Sequence, residues 1–426
     1  MTNPVWHGRL GDGLLRELPL HPSEAHHHLH TVPSTPVWRA EGSKRSWTIN
    51  GDFVTLKPTG VPRYAREVTQ ALDALVAENH PLAARLQLNL LVPRQPEEPL
   101  HLSAISTQVI PEFSTPRLPQ FWVQLQLPRH VPGGLLSFCN LAPVLHRKQI
   151  VCIHDLHTRL APESYSTLFR WAHRIVLPIL GRRADFITTV SELSRTHLVE
   201  YGVAAAEKIV VTHNGSDHIH RWHQQGPSRF SRPPVRPFIF CLGQTQKYKN
   251  LDLLIALSKQ LDALGLDICI AGHVSEAVIK ASSSAELRNV RFLGRVTDAE
   301  LADLYANALC FVFPSRMEGF GLPVVEAMAL GCPVVSSNIP ALVEVCHDAA
   351  ILVHPDDAQG WLTAIQALHV DPQLRERMMT HGLERARQFS WRVIAEIYLN
   401  LMARVDAIGD PALAGSTKFG REKRAN

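Results

Sequence analysis

Two series of short apolar runs, each alternating with helical patterns, constrain the fold of this chain more than any other feature. The first series contains LQLNLLVP, LLSFCN, IVCIHD, FITTVS and IVVTHNG, and the second contains FIFCLG, DICIAG, VRFLG, LCFVFPS, CPVVSS and ILVH. Buried strands that alternate with helices are typical of parallel sheets covered by helices on both faces. We therefore predict an α/β protein with two doubly wound, Rossmann-like domains that face each other across a cleft.

Helical patterns fill the gaps between these predicted strands. They cover residues 60–77, 165–181, 191–201, 251–264, 298–307, 323–330, 341–346 and 390–405. In the helix at 165–181 we expect one apolar stripe to face the core, and that stripe comprises residues 165, 168, 169, 172, 175, 176 and 179. The opposite face carries Arg170, Trp171, His173 and Arg174. It is either an ordinary solvated face or a contact with anionic lipid.

The stretch WHQQGPSRFSRPPVRP separates the two series and has no periodicity, so it predicts a linker. The carboxyl ends of the strands in both domains are expected to line one cleft, where ligands bind. The predicted regions are a polar, flexible leader (1–46), a first Rossmann-like domain (47–222), the linker (223–237), a second Rossmann-like domain (238–390), a helix crossing back to the first domain (391–408) and a disordered tail (409–426).

Composition and charge narrow the classes of function. The chain of 426 residues has 45% hydrophobic and 19% charged residues, as in soluble globular proteins, and its net charge of +4 is too small to indicate nucleic-acid binding. An apolar signal core and a run of about 18 apolar residues are both missing from the sequence. We expect a cytoplasmic protein, at most peripheral at the cytoplasmic face of the inner membrane.

Cysteine and histidine patterns predict neither disulfides nor a metal centre. The seven cysteines are scattered, odd in number and without a CxxC pair, so we expect buried thiols in a reducing compartment. The run HPSEAHHHLH at residues 21–30 lies in the polar leader, away from any second ligand cluster. We expect a solvated arm there.

The segment RMEGFGLPVVEA combines two glutamates with a Gly-Phe-Gly turn and a proline. It directly follows the strand pattern LCFVFPS, and Pro323 suits the first turn of a helix, so Gly321 and Leu322 are the predicted helix entry. Glycines allow close approach of a ligand, and the free N–H groups at a helix start form an anion site suited to phosphate. Glu318 is predicted on the loop and Glu326 on the first helical turn.

The two glutamates therefore flank a predicted phosphate cradle. A nucleotide sugar has ribose hydroxyls on one side of its diphosphate and hexose hydroxyls on the other, and carboxylates accept hydrogen bonds from such vicinal hydroxyls. We predict that Glu318 and Glu326 each hold one sugar of this donor. An acidic first turn favoured by the helix dipole would explain Glu326 but not the glutamate on the loop.

Extended to EGFGLPVVEAMALGCPVVSS, the segment resembles the E-x7-E element of the retaining, GT-B fold glycosyltransferases of family 4 (group 1). The resemblance spans about residues 47–402 and is strongest to bacterial members that build exopolysaccharide and O-antigen. Further segments resemble successive landmarks of that family: TGVPRYAREVTQAL, FWVQLQLP, IHDLHTRLAPESYS, RRADFITTVSELSR, KIVVTHNGSDH, LGQTQKYKNLDLLI and RFLGRVTDAELADLYANA.

The resemblance implies roles for individual residues. Glu318 matches the glutamate that contacts the donor hexose, and Glu326 the one on the ribose. Lys249 matches the lysine that neutralises the diphosphate, and His154 the histidine at a strand end that approaches the sugar. Arg295 and Val296 would flank the base. The amides of Phe320, Gly321 and Leu322 would hold the phosphates. The other implied donor-binding residues are Gly60, Gly243 and Gly319.

Several of these assignments have alternatives. Many relatives place an arginine after the strand-end glycine, where this chain has Gln244, and Lys247 could replace the missing charge. Arg63 is as compatible with an exposed face as with an acceptor site. Lys249 could be a solvated lysine, and His154 a structural histidine with satisfied hydrogen bonds.

The resemblance implies transfer of a hexosyl group (mannosyl, rhamnosyl or glucosyl) from a nucleotide diphosphate sugar to a glycan or polyprenyl-linked acceptor, with retention, in bacterial surface polysaccharide synthesis. No paired-aspartate motif for a divalent ion stands in a credible site, so we expect metal-independent chemistry without a cofactor. Peripheral contact with the inner membrane is a further expectation. Two alternatives stay open: a non-catalytic sugar-nucleotide-binding module, suggested by Gln244, and another GT-B enzyme such as a phosphorylase or epimerase.

Overall fold

The computed structural model describes residues 44–57, 60–96, 100–112, 121–224, 226, 228–231, 235–244, 246–274 and 288–408. The predicted leader up to residue 43, with its histidine run, and the predicted tail at 409–426 lie outside these ranges. The last residues assigned to the leader already belong to the first strand, which begins at Arg45.

In the described part of the chain, a sheet of seven parallel strands organises the first lobe, in the order β3-β2-β1-β4-β5-β6-β7. Its strands are β1 (Arg45–Asn50), β2 (Leu86–Val92), β3 (Ser106–Val109), β4 (Gly134–Ser137), β5 (Gln149–Cys152), β6 (Phe186–Thr189) and β7 (Ile209–Val211). The helices are α1 (Val61–Ala77), α2 (His157–Leu160), α3 (Thr167–Arg183) and α4 (Glu192–Glu200), followed by a 3₁₀ segment at Asp217–Gln224.

A second parallel sheet, with six strands among the described residues, has the order β10-β9-β8-β11-β12-β13. Its strands are β8 (Phe238–Gln244), β9 (Asp267–His273), β10 (Val290–Gly294), β11 (Cys310–Phe313), β12 (Val334–Ser337) and β13 (Ile351–Val353). The helices are α5 (Leu251–Ala256), α6 (Ser258–Ala263), α7 (Asp298–Asn307), α8 (Leu322–Ala329), α9 (Pro340–Cys346), α10 (Ala358–Val370), α11 (Pro372–Ala386) and α12 (Trp391–Ile408).

The central strands are buried on both faces, which explains why they appear in the sequence as continuous apolar runs. Every residue of β4, β5, β6, β11 and β12 is buried. The structure therefore confirms the predicted fold class of two doubly wound, parallel α/β units. The cysteines are free, as expected, with Cys139 half-buried and the other six buried.

Helix α12 follows the second lobe in sequence but packs on α1 of the first. The Tyr398 hydroxyl is 3.0 Å from the Tyr64 hydroxyl and 2.6 Å from Thr188 Oγ1, and all three groups are buried. Near the end of the helix, Asp406 accepts hydrogen bonds from Arg45 Nε at 2.6 Å and Trp47 Nε1 at 3.0 Å. The final helix is thus joined by side-chain hydrogen bonds to the first strand and the first helix.

The predicted orientation of α3 is wrong. The residues that the helix buries are His173, Leu177, Leu180 and Gly181, whereas the expected core residues Leu168 and Ile175 are 82% and 55% exposed. The face that α3 buries is shorter than the predicted stripe, because only the second half of the helix packs on the rest of the first lobe. Periodicity identifies an apolar stripe, but which stripe is covered depends on the neighbouring elements.

Five strands and helices have no predicted counterpart: β1, β3, α2, α10 and α11. Strand β3 has the sequence STQV with all four residues exposed, so it lacks an apolar signal. Helices α10 and α11 follow β13, in a stretch where the sequence analysis predicts no helix. Among the helices of the described residues, none combines the length and apolar character that a membrane crossing requires.

Candidate active site

The reversal of strand order in the second sheet lies between β8 and β11, which are neighbours although the strands β9 and β10 separate them in sequence. Crevices at such reversals, outside the carboxyl ends of the strands, are where doubly wound sheets bind ligands. The segment after β8 carries Lys247 and Lys249 in a short 3₁₀ turn. The segment after β11 carries Glu318. The fold therefore brings the predicted cation and the predicted hexose ligand to one crevice.

Helix α8 begins at Leu322, as the sequence predicts. Gly321 precedes it with φ 110° and ψ 45°, a left-handed conformation that favours glycine, and a Cβ there would lie 2.5 Å from Leu342 Cδ2. Pro323 occupies the first turn. Within the described ranges, the amides of Phe320, Gly321 and Leu322 donate to no other protein group. These three N–H groups are available to an anionic ligand at the start of the helix.

Glu326 lies one turn further than predicted. It is the fifth residue of α8, and the first turn of the helix contains no acidic residue. With 3.6 residues per turn, the prediction of a first-turn carboxylate is wrong. A simple complement to the helix dipole therefore does not account for Glu326, because that effect falls off within the first turn.

Glu318 and Lys249 form an ion pair at the crevice. Lys249 Nζ donates to Glu318 Oε1 at 2.7 Å, and the two side chains are 14% and 10% exposed. The ammonium group also lies 5.5 Å from the ring centroids of Tyr248 and Phe313, a cation–π arrangement. Lys247, in contrast, is exposed. Lys249 is thus held beside Glu318 by an ion pair and two rings.

Glu326 has a different environment, and its side chain is only 4% exposed. His218 Nε2 lies 2.9 Å from Glu326 Oε1, and both side chains are buried. Trp391 Nε1 donates to His218 Nδ1 at 3.0 Å. Because an indole N–H can only donate, Nδ1 is the acceptor and Nε2 carries the proton that is donated to Glu326. The tryptophan therefore fixes both the tautomer and the orientation of the histidine.

Arg63 connects the two lobes. Its Nη1 and Nη2 bond to both carboxylate oxygens of Asp298 at 2.9 and 2.6 Å, and its Nε is 3.8 Å from Glu326 Oε1. Burial opposes its charge, but the bonds to Asp298 and the attraction of Glu326 raise the pKa of Arg63 above its ordinary value. Arg63 is only 9% exposed, so the exposed-face alternative is wrong.

The remaining predicted donor residues lie on loops or in β8. Arg295 and Val296 follow Gly294, which has φ 67°, and lead into α7; Arg295 is exposed and Val296 half-buried. Gly60 has φ 51° and ψ −113° at the start of α1, a conformation that requires glycine, and nothing lies within 4 Å of a Cβ there. A Cβ on Gly243 would lie 2.6 Å from Ile270 Cγ2, so this glycine allows close packing of two strands. Gln244 ends β8, and its side chain lies outside the described part.

His154 is buried, and its ring contacts residues of the first lobe. Its Nε2 lies 2.8 Å from the Phe138 carbonyl oxygen, and its ring packs edge-on against Tyr64 at 4.8 Å. The neighbouring Asp155 reaches the glutamate loop instead, because a Cβ on Gly319 would lie 3.2 Å from Asp155 Cβ. The Gly319 carbonyl also accepts a 2.7 Å bond from Ser191 Oγ. The predicted contact of His154 with the donor sugar stays a prediction.

Sequence reasoning missed His218 and Asp298 as site residues. His218 ends the run KIVVTHNGSDH, which was noted without a role for its histidine. Asp298 is at the start of a predicted helix, where an acidic residue is ordinary. Within the described ranges, no group of three or more His, Cys, Asp or Glu side chains could hold a metal ion. The metal independence of the predicted reaction stays a prediction.

Comparison with known sequences places the chain among glycosyltransferases. The family described as glycosyl transferases group 1 matches residues 227–385. The chain is 32% identical over 256 residues to O-antigen chain mannosyltransferase B of Escherichia coli, covering 57% of this chain and 67% of that protein. It is 29% identical to the Salmonella typhimurium mannosyltransferase RfbU, covering 55% and 64%. It is 31% identical to the phosphatidyl-myo-inositol mannosyltransferase of Mycobacterium leprae, covering 70% and 88%.

Solved structures with the same arrangement of lobes are GT-B glycosyltransferases. A sucrose-phosphate synthase of Thermosynechococcus elongatus has a TM-score of 0.66 at 19% identity, covering 85% of this chain and 100% of that chain. WaaG, a glycosyltransferase involved in lipopolysaccharide biosynthesis, has a TM-score of 0.62 at 13% identity, covering 84% and 99%. Anabaena HepE, solved with UDP and glucose, has a TM-score of 0.59 at 17% identity, covering 85% and 100%. These likenesses confirm the GT-B fold.

Proposed function

The chain belongs to the group 1 (family 4) glycosyltransferases, and we propose that it transfers a mannosyl group from a nucleotide diphosphate sugar to a growing glycan of a bacterial surface polysaccharide, with retention at the anomeric carbon. The similarity to two O-antigen mannosyltransferases supports mannose over rhamnose and glucose. The fold neighbour that contains UDP and glucose supports a nucleotide diphosphate sugar as donor. The proposed acceptor is lipid-linked, and the proposed location is the cytoplasm.

The observation that carries this proposal is the ion pair of Lys249 and Glu318 at the strand-order reversal of the second sheet. The amides of Phe320, Gly321 and Leu322, which have no protein acceptor within the described residues, belong to the same turn. A diphosphate needs donors and positive charge, and a hexose needs a carboxylate acceptor close by. The turn provides the amides and the carboxylate, and Lys249, on the segment after β8, provides the positive charge.

In the proposed reaction the bond between the anomeric carbon and the diphosphate oxygen breaks, and the acceptor hydroxyl oxygen bonds to that carbon on the same face. The hydroxyl proton passes to the leaving phosphate oxygen. Lys249 has three N–H donors, so it can keep Glu318 and still bond a phosphate oxygen as negative charge develops there. Glu318, held by the lysine, is positioned to accept hydrogen bonds from the hexose.

The test is transfer by purified protein with a panel of GDP-, UDP- and dTDP-sugars and octyl α-D-mannopyranoside as acceptor probe. The proposal predicts a new α-linked product from a mannosyl donor, with the anomeric configuration followed by proton NMR. Nucleotide binding without turnover of any donor would support the non-catalytic module. Cleavage that depends on inorganic phosphate, or epimerisation of the donor, would support another GT-B enzyme.

Helix α3 supports membrane contact of the enzyme. It carries Arg170, Arg174, Arg182 and Arg183 and no acidic residue. Leu168, Trp171 and Ile175 on the same helix are 82%, 62% and 55% exposed. An exposed apolar face flanked by arginines fits an anionic bilayer surface, where the arginines meet lipid headgroups and the apolar side chains enter the interface. Such a contact would keep the enzyme near a lipid-linked acceptor.

Flotation with vesicles tests this contact. The wild-type protein should float with phosphatidylglycerol-containing vesicles, and less with phosphatidylcholine alone or at high salt. Arg170→Glu with Arg174→Glu should lower recovery by about tenfold, since each basic residue contributes about 1 kcal/mol near an anionic surface and a reversed charge is repelled. Lys259→Glu with Arg377→Glu makes the same change in net charge at exposed sites on α6 and α11. Equal recovery of both double variants would refute the role of α3.

A further inference from the structure

A second set of side chains lies beside the loop of Glu318, and no direct contact of these side chains with the donor is assigned above. We name Asp155, His157, Tyr165 and Tyr248 the Tyr165 cluster. The first three follow β5, at the carboxyl edge of the first sheet, and Tyr248 precedes Lys249 in the second lobe. The cluster is therefore assembled from both lobes, next to the proposed hexose position.

Asp155 connects the cluster to the glutamate loop. A Cβ built on Gly319, which follows Glu318, would lie 3.3 Å from Asp155 Oδ2. The other carboxylate oxygen, Oδ1, accepts the backbone N–H of His157 at 2.9 Å. His157 Nδ1 is 3.5 Å from Oδ2, longer than an ordinary hydrogen bond. Oδ2 therefore keeps acceptor capacity at the edge of the crevice.

Aromatic rings form the rest of the cluster. The His157 and Tyr248 rings are 5.6 Å apart across the two lobes. The half-buried Tyr165 stacks on Phe169 of α3, with centroids 5.9 Å apart and planes 18° from parallel. Burial and the Asp155 charge raise the pKa of Tyr165 to about 12, and burial with the charges of Tyr165, Glu318 and Asp155 raises that of Tyr248. Both phenols remain donors at neutral pH.

From this arrangement we propose that the Tyr165 cluster is the acceptor subsite, which binds the terminal pyranose of the glycan that receives the hexosyl group. This inference rests on the proposed function. Asp155 Oδ2 accepts a hydrogen bond from a hydroxyl of that pyranose, and the Tyr165 ring covers one apolar face of the sugar. The Tyr165 and Tyr248 hydroxyls donate to further sugar oxygens.

The chemistry of a pyranose fits these groups. A sugar ring has an apolar C–H face and a rim of hydroxyls, so its sites combine aromatic rings with a few fixed polar groups. Asp155 is beside Gly319, so a hydroxyl bound to Oδ2 is close to the position assigned to the donor hexose. Beyond Tyr165, Phe169 is 42% exposed and leads to the exposed face of α3. A lipid-linked glycan could thus extend from the subsite towards the bilayer.

The experiment compares variants for transfer to octyl α-D-mannopyranoside, for donor hydrolysis by water, and for nucleotide affinity. Tyr165→Ala and Asp155→Asn should each raise the acceptor KM at least tenfold, with donor hydrolysis and nucleotide affinity within twofold of wild type. Tyr165→Phe keeps the ring and should rescue most of the loss. Tyr201→Ala removes a tyrosine outside the cluster, 43% exposed at the end of α4, and should leave the acceptor KM unchanged.

A binding readout separates this inference from the proposed function. Saturation-transfer NMR of octyl α-D-mannopyranoside, with nucleotide diphosphate present, requires no turnover. Loss of the signal in Tyr165→Ala but not in Tyr201→Ala would support the subsite even if the enzyme transfers no mannose. An unchanged acceptor KM and an unchanged NMR signal in Tyr165→Ala would overturn the inference. Equal losses of nucleotide affinity and acceptor affinity would overturn it too, because they would place the cluster in the donor site.

Discussion

Glu318 and Glu326 are eight residues apart in sequence, yet their surroundings differ in how firmly the partner of each carboxylate is held. Glu318 meets one cation, Lys249, at the edge of the crevice, and this ammonium group has further N–H donors for a ligand. Glu326 meets His218, which Trp391 orients, and Arg63, which Asp298 holds with two bonds. Lys249 can bond a substrate through its remaining N–H donors while it keeps its bond to Glu318. His218 and Arg63, each held by a further residue, keep the carboxylate of Glu326 in one orientation.

This difference agrees with what each end of the proposed donor does during transfer. The ribose is unchanged by the reaction, so a fixed carboxylate suits it. At the hexose, the ring gains positive charge and the diphosphate gains negative charge as the bond breaks. The pair of Glu318 and Lys249 contains one group of each sign, and both can respond to those changes. The following predictions test whether the two glutamates are divided in this way.

The largest effect is expected for Lys249→Ala. Loss of one donor to developing charge costs about 3 kcal/mol, a hundredfold or more in kcat. The variant should also lose some stability, because it leaves the carboxylate of Glu318, which is 10% exposed, without its cation. Lys247→Ala is the matched control, since that lysine is exposed in the same turn, and it should lower kcat only slightly. Steady-state kinetics with a thermal melt of each variant provides the measurement. Near wild-type turnover of Lys249→Ala would show that backbone amides or Lys247 carry the charge.

The next effect separates the glutamates themselves. Glu318→Gln should lower kcat by about tenfold or more and leave affinity for the nucleotide diphosphate nearly intact, because the hexose is absent from that product. Glu326→Gln should weaken donor and nucleotide diphosphate alike and appear as a raised KM. Calorimetric titration of nucleotide diphosphate into both variants, beside their kinetics, measures this split. Equal losses of nucleotide affinity would remove the distinction.

The smallest effect on nucleotide affinity is expected for a change in His218, the partner of Glu326. His218→Phe removes the acceptor of Trp391 Nε1 and leaves Arg63 as the remaining partner of Glu326, and the unpaired indole N–H alone costs about 1–3 kcal/mol in unfolding free energy. Nucleotide affinity should fall by only a few-fold, since the carboxylate itself remains. His218→Gln keeps one donor and one acceptor and should restore part of both. Chemical denaturation and nucleotide titration are the two measurements. Unchanged stability of His218→Phe would show that the histidine does not hold Glu326.

Local patterns predicted the elements that are buried on both faces and the start of α8. Strands such as β5 and β11 are apolar throughout, and Gly321 with Pro323 marks the helix entry, so their signals lie in neighbouring residues. The exposed strand β3 was missed because pairing with β2, and not its own composition, makes it a strand. The face of α3 was assigned wrongly for the same kind of reason, since the packing that selects it comes from distant segments.

The sequence by itself determined the two parallel α/β units, the turn with its free amides, and the presence of Glu318, Glu326 and Lys249 in three short segments. Tertiary structure alone decided which groups meet, because Lys249 and Glu318 are 69 residues apart and His218 and Glu326 are 108 residues apart. Arg63 meets Asp298 across 235 residues. Backbone propensities and periodicity act over a few residues, whereas such contacts depend on how strands are ordered in each sheet and how the lobes pack.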